Sequence, residues 1–147
     1  MGATTKRHQC VVDGVVTDCY VYSPSELAGG QKVKRVKITR SLWDTGSSTT
    51  LISKRVVDAL CLTPIGESCI SGYKQGVDIL DAFLVHVGLP TGDIVTDVVV
   101  TEIDNDDYDV VIGMDVISKG DLAITNKNER TTFSFRIPSE IEIDFSE

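Results

Sequence analysis

The stretch "SLWDTGSSTT", residues 41–50, sets a single carboxylate, Asp44, between the apolar pair Leu42–Trp43 and a run of small hydroxyl-bearing residues. Before it, residues 33–43 carry Val36, Ile38, Leu42 and Trp43 among Lys34, Arg35, Lys37 and Arg40. That is the mixed spacing of a half-buried strand, with Val33 out of phase and a bulge expected there. A strand that runs into Asp-Thr-Gly fixes a carboxylate at the lip of a barrel. Gly46 permits a sharp turn and a close approach by another backbone segment. Thr45, Ser47 and Ser48 supply hydroxyls that can hold the carboxylate or knit the turn. The plainer alternative is an Asx-turn, in which Asp44 only bonds its own loop.

Outward from this loop, the chain reads as short strands. "CVVDGVV" (10–16) puts Asp-Gly between two apolar pairs, the signal of a tight hairpin. "SKRVVDALCLTP" (53–64) reads as a short helix capped by Ser53, with Val56, Val57 and Leu60 facing inward and Pro64 beyond its end. "ILDAFLVHV" (79–87) and "VTDVVVTE" (95–102) are strands separated by the turn-rich "GLPTGD" (88–93). "DVVIG" (109–113) is a continuous apolar strand, and "MDVISKG" (114–120) a turn or two of helix stopped by Gly120 at the C′ position. "LAIT" (122–125) and "TTFSFRI" (131–137) complete the core strands. Many short strands, at most two short helices and no alternating βαβ spacing predict an all-β protein, a barrel or sandwich. With no repeats, one domain is expected over residues 1–147, its core from about 8 to 138, followed by an acidic segment, 139–147.

Composition narrows the function classes. The net charge is −8 and the pI about 4.7, so a phosphate backbone is repelled and nucleic acid is not an expected partner. No apolar run approaches the roughly 18 residues of a membrane span. "MGATTKRHQ" has no apolar core for a secretory signal, and Lys6 stands where a myristoylation signal wants Ser or Thr. The four cysteines, Cys10, Cys19, Cys61 and Cys69, form no CxxC, and only His8 and His86 could join them at zinc. They read as reduced, mostly buried thiols of a cytoplasmic protein. The acidic "EIDNDDYD" (102–109) lacks the central Gly and terminal Glu of a calcium loop and reads as a solvated turn. His86 has no serine partner for a triad, and the basic strand residues read as a solvated face.

"DTGSS" is similar to the active-site signature of the pepsin-like and retroviral aspartic peptidases. "VVIGMD" (110–115) resembles the apolar-apolar-Gly stretch that packs behind the catalytic loop in retroviral-type enzymes. Between them, the helix at 53–60 and a Gly-containing hairpin near 66–78 fall where that family has its turn and its flap. Over roughly residues 33–125 the chain resembles the retropepsin-like family, in the manner of its single-domain bacterial-type members. The resemblance implies an acid-protease β-barrel, closed or partly open, with one or two short helices. It implies an aspartic endopeptidase in which Asp44 is catalytic, Thr45, Gly46 and Ser47 support the loop, and Ser48, Ser71, Gly72, Tyr73 and Ile112 meet a polypeptide substrate. No cofactor or metal is implied. The chemistry uses two carboxylates, one ionised and one protonated, and this chain has one Asp-Thr-Gly. A C2 homodimer would supply the second, with Thr45 tying the two loops together. The alternative is a catalytically silent dimerisation or peptide-binding module on the same fold.

The match is incomplete. Viral enzymes pair an Arg after the Gly of the second element with an Asp shortly after Asp-Thr-Gly; here Met114 and Ser48 stand in those places. Packing or neutral hydrogen bonds are expected to support the loop instead, with Asp115 capping the short helix or bonding a neighbouring loop. The Ser47 hydroxyl is expected to donate to Asp44. In "EIEIDFSE" (140–147), Ile141, Ile143 and Phe145 alternate with acidic residues, the period of a strand with one buried face. That strand is a candidate for an intersubunit sheet, an intramolecular strand beside residues 32–40, or an occupant of the groove.

Overall fold

The computed structural model describes residues 2–24, 33–71 and 77–146, with only the backbone at 70, 71, 77 and 78. Ten strands and two short helices follow in the order β1 (Gly2–Arg7), β2 (Val15–Tyr22), β3 (Arg35–Trp43), β4 (Leu51–Ser53), α1 (Lys54–Leu60), β5 (Gly66–Ser71), β6 (Val77–Gly88), β7 (Ile94–Ile103), β8 (Val110–Ile112), α2 (Met114–Ile117), β9 (Asp121–Thr125) and β10 (Thr132–Ile137). One sheet runs β2-β3-β8-β4-β7-β6, and a further β2–β6 pairing closes it into a six-stranded barrel. β5 extends β6 as a hairpin in register from Gly66↔Ala82 to Ser71↔Val77. A second sheet, β1-β10-β9, joins the two ends of the chain.

The barrel core follows from period-2 burial. On β2, Val15, Thr17, Cys19 and Val21 point inward, and Ile38, Ser41 and Trp43 do so on β3. The change of phase between Ile38 and Ser41 is a bulge: Cys19 pairs with Ile38 but Thr17 with Ser41, so β3 holds an extra residue there. The irregularity expected at Val33 thus lies further along the strand. Two buried polar pairs are satisfied inside the core. The Trp43 Nε1–H donates to Thr17 Oγ1 at 2.9 Å, and Cys19 Sγ and Ser41 Oγ share a bond of 2.8 Å.

Trp43 also couples the two sheets. Its ring lies 5.0 Å from that of Phe133 and 4.8 Å from that of Phe135, both fully buried on β10. Tilted aromatic contacts at such distances add to the apolar burial. The terminal sheet therefore closes the barrel beside the strand end that carries Asp44.

Several expectations change. No hairpin forms at residues 10–16. β2 pairs with β3 and β6, while β1, which the polar "GATTKR" did not announce, pairs with β10. Residues 10–12 are instead tied to Thr131, whose N–H donates to Cys10 O and whose Oγ1 accepts from the Val12 N–H. A long-range sheet thus takes the backbone groups that a local turn would have used. Two parallel pairings, β3 with β8 and β4 with β7, occur without βαβ spacing in the sequence. α1 buries Val56, Val57 and Leu60 as expected, but the Ser53 hydroxyl bonds Asp109 rather than the helix end. Cys61 ends α1 in the left-handed conformation at φ 51°. Gly120 comes after Ser118, the cap of α2, and answers to space: a Cβ there would collide with the Arg136 carbonyl oxygen. Among the described residues no helix is long and apolar enough to cross a membrane. Three of the four cysteines are exposed and only Cys19 is buried, against the expectation of mostly buried thiols; all four are free.

The acidic segment forms no strand. Ile141 and Ile143 remain about half exposed, at 56% and 53%, and Phe145 is 90% exposed. Among the described residues no hydrogen bond or ion pair joins the segment to residues 33–40 or to the Asp44 loop. The segment turns back over the outer face of the terminal sheet, where Ile141 and Ile143 border a hollow lined by Ala3, Thr5, Ala123 and Ser134. Asp121 holds it: its carboxylate accepts from the Ser139 hydroxyl and from the N–H groups of Glu140 and Ile141, while pairing with Arg136. Period 2 alone could not form a strand because every bond it needs is to a neighbouring chain segment.

Candidate active site

The Asp44 loop is built on the parallel pairing of β3 and β8. Trp43 sits opposite Ile112, and the next N–H, that of Asp44, donates to Ile112 O at 2.9 Å. The chain then turns. Gly46 N–H donates to Asp44 Oδ1 at 2.8 Å, and Ser47 N–H to Asp44 O at 3.2 Å. This is an Asx-turn, so the plainer sequence alternative is part of the geometry. It also orients the carboxylate: Oδ1 is held by the loop, whereas Oδ2 has no hydrogen-bond partner among the described residues. Asp44 is partly exposed, so that oxygen is open to a ligand or water.

"VVIG" supports the loop from behind. Val110 and Ile112 have no exposed surface and Val111 almost none. Gly113 is required by a close approach, since a Cβ there would lie 2.5 Å from Thr49 O and 2.9 Å from Ser47 O. Met114 N–H then donates to Ser47 O at 2.7 Å. The loop is tied to α2 through Thr50 and Asp115. Thr50, fully buried, gives its N–H to Asp115 Oδ2 at 3.0 Å and its hydroxyl to Oδ1 at 2.8 Å, while its Oγ1 accepts from Gly113 N–H at 3.1 Å. Asp115 Oδ1 also accepts from Val116 N–H at the start of α2. Of the two expected tasks of Asp115 the loop contact is the one it performs: the cap of α2 is Gly113, without a side-chain cap bond, and Asp115 lies within the helix's first turn. The support expected from neutral groups comes from a carboxylate with uncharged donors. Thr50 was not singled out in the sequence; its one signal was its place in a hydroxyl run, which Ser47 to Thr49 share.

The other expected site residues divide. Thr45 is exposed at the loop tip. Ser47 donates its hydroxyl to Thr49 O at 2.6 Å rather than to Asp44, and a hydroxyl has one proton to give. Ser48 is exposed, where the viral pattern would have an ionic partner. Ile112 lies wholly inside the core, so it holds the loop through its carbonyl and offers no side chain to a groove. Ser71 is described by its backbone alone, and Gly72 and Tyr73 lie outside the described residues. The β5–β6 hairpin nevertheless flanks the loop. Ser68 and Cys69 of β5 face Gly46, Ser47, Ser48 and Thr49 across a cleft of about 280 Å³, with Leu51 and Thr101 completing it. Among the described residues no three His, Cys, Asp or Glu side chains are placed to hold a metal ion.

No protein-family model and no curated protein matches the chain. Solved structures do. A retropepsin-like aspartic protease from Rickettsia conorii superposes with a TM-score of 0.55 over 90% of this chain and 91% of that one, at 12% identity. The retroviral protease-like domain of Ddi1 from Leishmania major gives 0.41 over 81% of this chain and 95% of that one, at 18% identity. Six closed barrel strands, two short helices and the superposition on the Rickettsia conorii structure establish a retropepsin-like fold.

Proposed function

We propose that the chain is an aspartic endopeptidase that works as a homodimer. The observation that carries this reading is the Asp44 carboxylate, with Oδ1 fixed by Gly46 N–H and Oδ2 open at the lip of the barrel. One such group cannot act as base and acid at once. Asp44 of the partner subunit, brought close by a two-fold axis, would share one proton with it, since two adjacent carboxylates do not both ionise readily. The ionised member takes a proton from water as the water attacks the scissile carbonyl; the protonated member hydrogen-bonds that carbonyl and, after the attack, a proton passes to the leaving nitrogen. Thr45, exposed at the tip, would meet its counterpart across the axis. The substrate would lie extended beside the β5–β6 hairpin and add backbone hydrogen bonds as a strand does, with Ser71, Gly72 and Tyr73 in the covering flap.

An unstructured protein such as casein, incubated with wild type and with Asp44→Asn, tests this. Cleavage by wild type alone is expected. If the dyad is shared, activity in mixtures with excess Asp44→Asn protein falls as the square of the wild-type fraction; a linear fall would mean one chain suffices. Peptide binding without cleavage by either protein would instead favour the silent module.

A further inference from the structure

The cleft beside Asp44 is lined mainly by small hydroxyl-bearing side chains. Its walls are Gly46, Ser47, Ser48 and Thr49 of the loop, Leu51 of β4, Ser68 and Cys69 of β5, and Thr101 of β7. No Asp, Glu, Lys or Arg is among them, and Leu51 is the one large aliphatic side chain. Thr101 is only 2% exposed, yet its hydroxyl has no partner among the described residues; those of Ser48 and Ser68 have none either. Such hydroxyls each offer one donor and two acceptor positions. At about 280 Å³ the cleft has room for several waters, each needing about 30 Å³, or for one medium side chain.

We infer that this cleft is a substrate subsite selective for an uncharged amide side chain, Gln or Asn, with Ser48, Ser68 and Thr101 as its specificity-determining residues. The identity of the occupant as substrate rests on the endopeptidase reading. A Gln or Asn amide both donates through its NH₂ and accepts through its carbonyl, so it answers hydroxyls of either polarity; Ser and Thr share that ability but not the length. Leu in the same place would strip water from three hydroxyls and return no hydrogen bond, which costs selectivity rather than merely failing to gain it. Lys or Glu would bring a charge to a cleft with no counter-charge. The CH₂ groups of Gln can rest on Leu51 while the amide reaches Thr101.

The test uses full-length protein and a set of extended peptides that differ at one scanned position, Gln, Asn, Leu or Lys. Wild type is assayed for cleavage, and Asp44→Asn for binding by fluorescence anisotropy, so that recognition is read without catalysis. At one position Gln or Asn is expected to exceed Leu by about 5- to 100-fold, in kcat/KM and in affinity. Ser68→Ala, on the hairpin surface, and Thr101→Val, which keeps the volume and removes the hydroxyl, should both compress that ratio toward unity. If the peptides are cleaved or bound with Leu equal to or better than Gln at every position, the subsite assignment is overturned. Amide-selective binding by Asp44→Asn without cleavage by wild type would uphold the subsite and remove only the hydrolytic reading. Absence of both binding and cleavage would overturn the two together.

Discussion

Asp115 and Thr50 are joined twice, hydroxyl to Oδ1 at 2.8 Å and N–H to Oδ2 at 3.0 Å, so the start of α2 and the end of the Asp44 loop move as one piece. Gly113 N–H on Thr50 Oγ1 ties the intervening turn into the same unit. This linkage supports the loop in a chain where Met114 and Ser48 can form no ion pair.

Asp115→Ala would leave a buried hydroxyl and a buried N–H without acceptors. A loss of about 2–4 kcal/mol in urea unfolding is expected, with Asp115→Asn retaining part of it through its remaining carbonyl oxygen. In an active enzyme the fall should be mainly in kcat, because the loop that aims Asp44 shifts while the cleft walls on β5 and β7 remain. A change confined to KM would remove the positioning role.

Asp109 makes stability depend on acid. Partial burial alone would raise its pKa, but the Arg55 guanidinium and the Ser53 hydroxyl, helped by Arg40, hold it below the ordinary carboxylate value. A group depressed in the folded state stabilises above its unfolded pKa, about 3.9, and loses that contribution as pH falls through the folded value. The urea midpoint of wild type should therefore drop below about pH 4. Asp109→Asn should be less stable by about 1 kcal/mol at pH 7, a modest figure because Arg55 is half exposed, and should show a shallower decline in acid. Parallel pH profiles for the two proteins would rule out this source of acid sensitivity.

Thiol reactivity should separate the four cysteines. Burial pushes the Cys19 thiol up to about 12, against a smaller opposing effect of its bond to Ser41, while Cys10, Cys61 and Cys69 are exposed. A thiol-specific reagent at pH 8 is expected to modify these three promptly and Cys19 only on unfolding, as the thiolate is the reactive form. Rapid native modification of Cys19 by mass spectrometry would contradict its placement inside the barrel.

The acidic segment carries three large apolar side chains that one chain leaves largely uncovered, with Phe145 at 90%. If the proposed homodimer uses this segment, removing residues 139–147 should shift the protein from dimer to monomer at micromolar concentration in sedimentation, and should lower the melting temperature only by what the lost partner contributed, since no core strand is removed. Asp121→Ala should expose the same segment to proteolysis by releasing Ser139, Glu140 and Ile141. An unchanged mass after truncation would assign the segment to solvent.

Features legible in the sequence were those that one segment settles for itself. Asp-Thr-Gly specified a tight turn that its own N–H groups complete, short apolar runs between turn signals marked β3, β6, β7 and β10, and the spacing of Val56, Val57 and Leu60 marked the buried side of α1. Decided by tertiary structure were the features whose partners lie far along the chain. Polar residues 2–7 became a strand because β10 offered them bonds, and Asp-Gly at 13–14 made no hairpin because its flanks were drawn to Thr131 and β3. The Ser47 proton went to Thr49 rather than Asp44, and Thr50 met a carboxylate 65 positions away. Periodicity states which face of a segment is apolar; it does not state which backbone will supply the missing hydrogen bonds, and burial leaves few such groups unpaired.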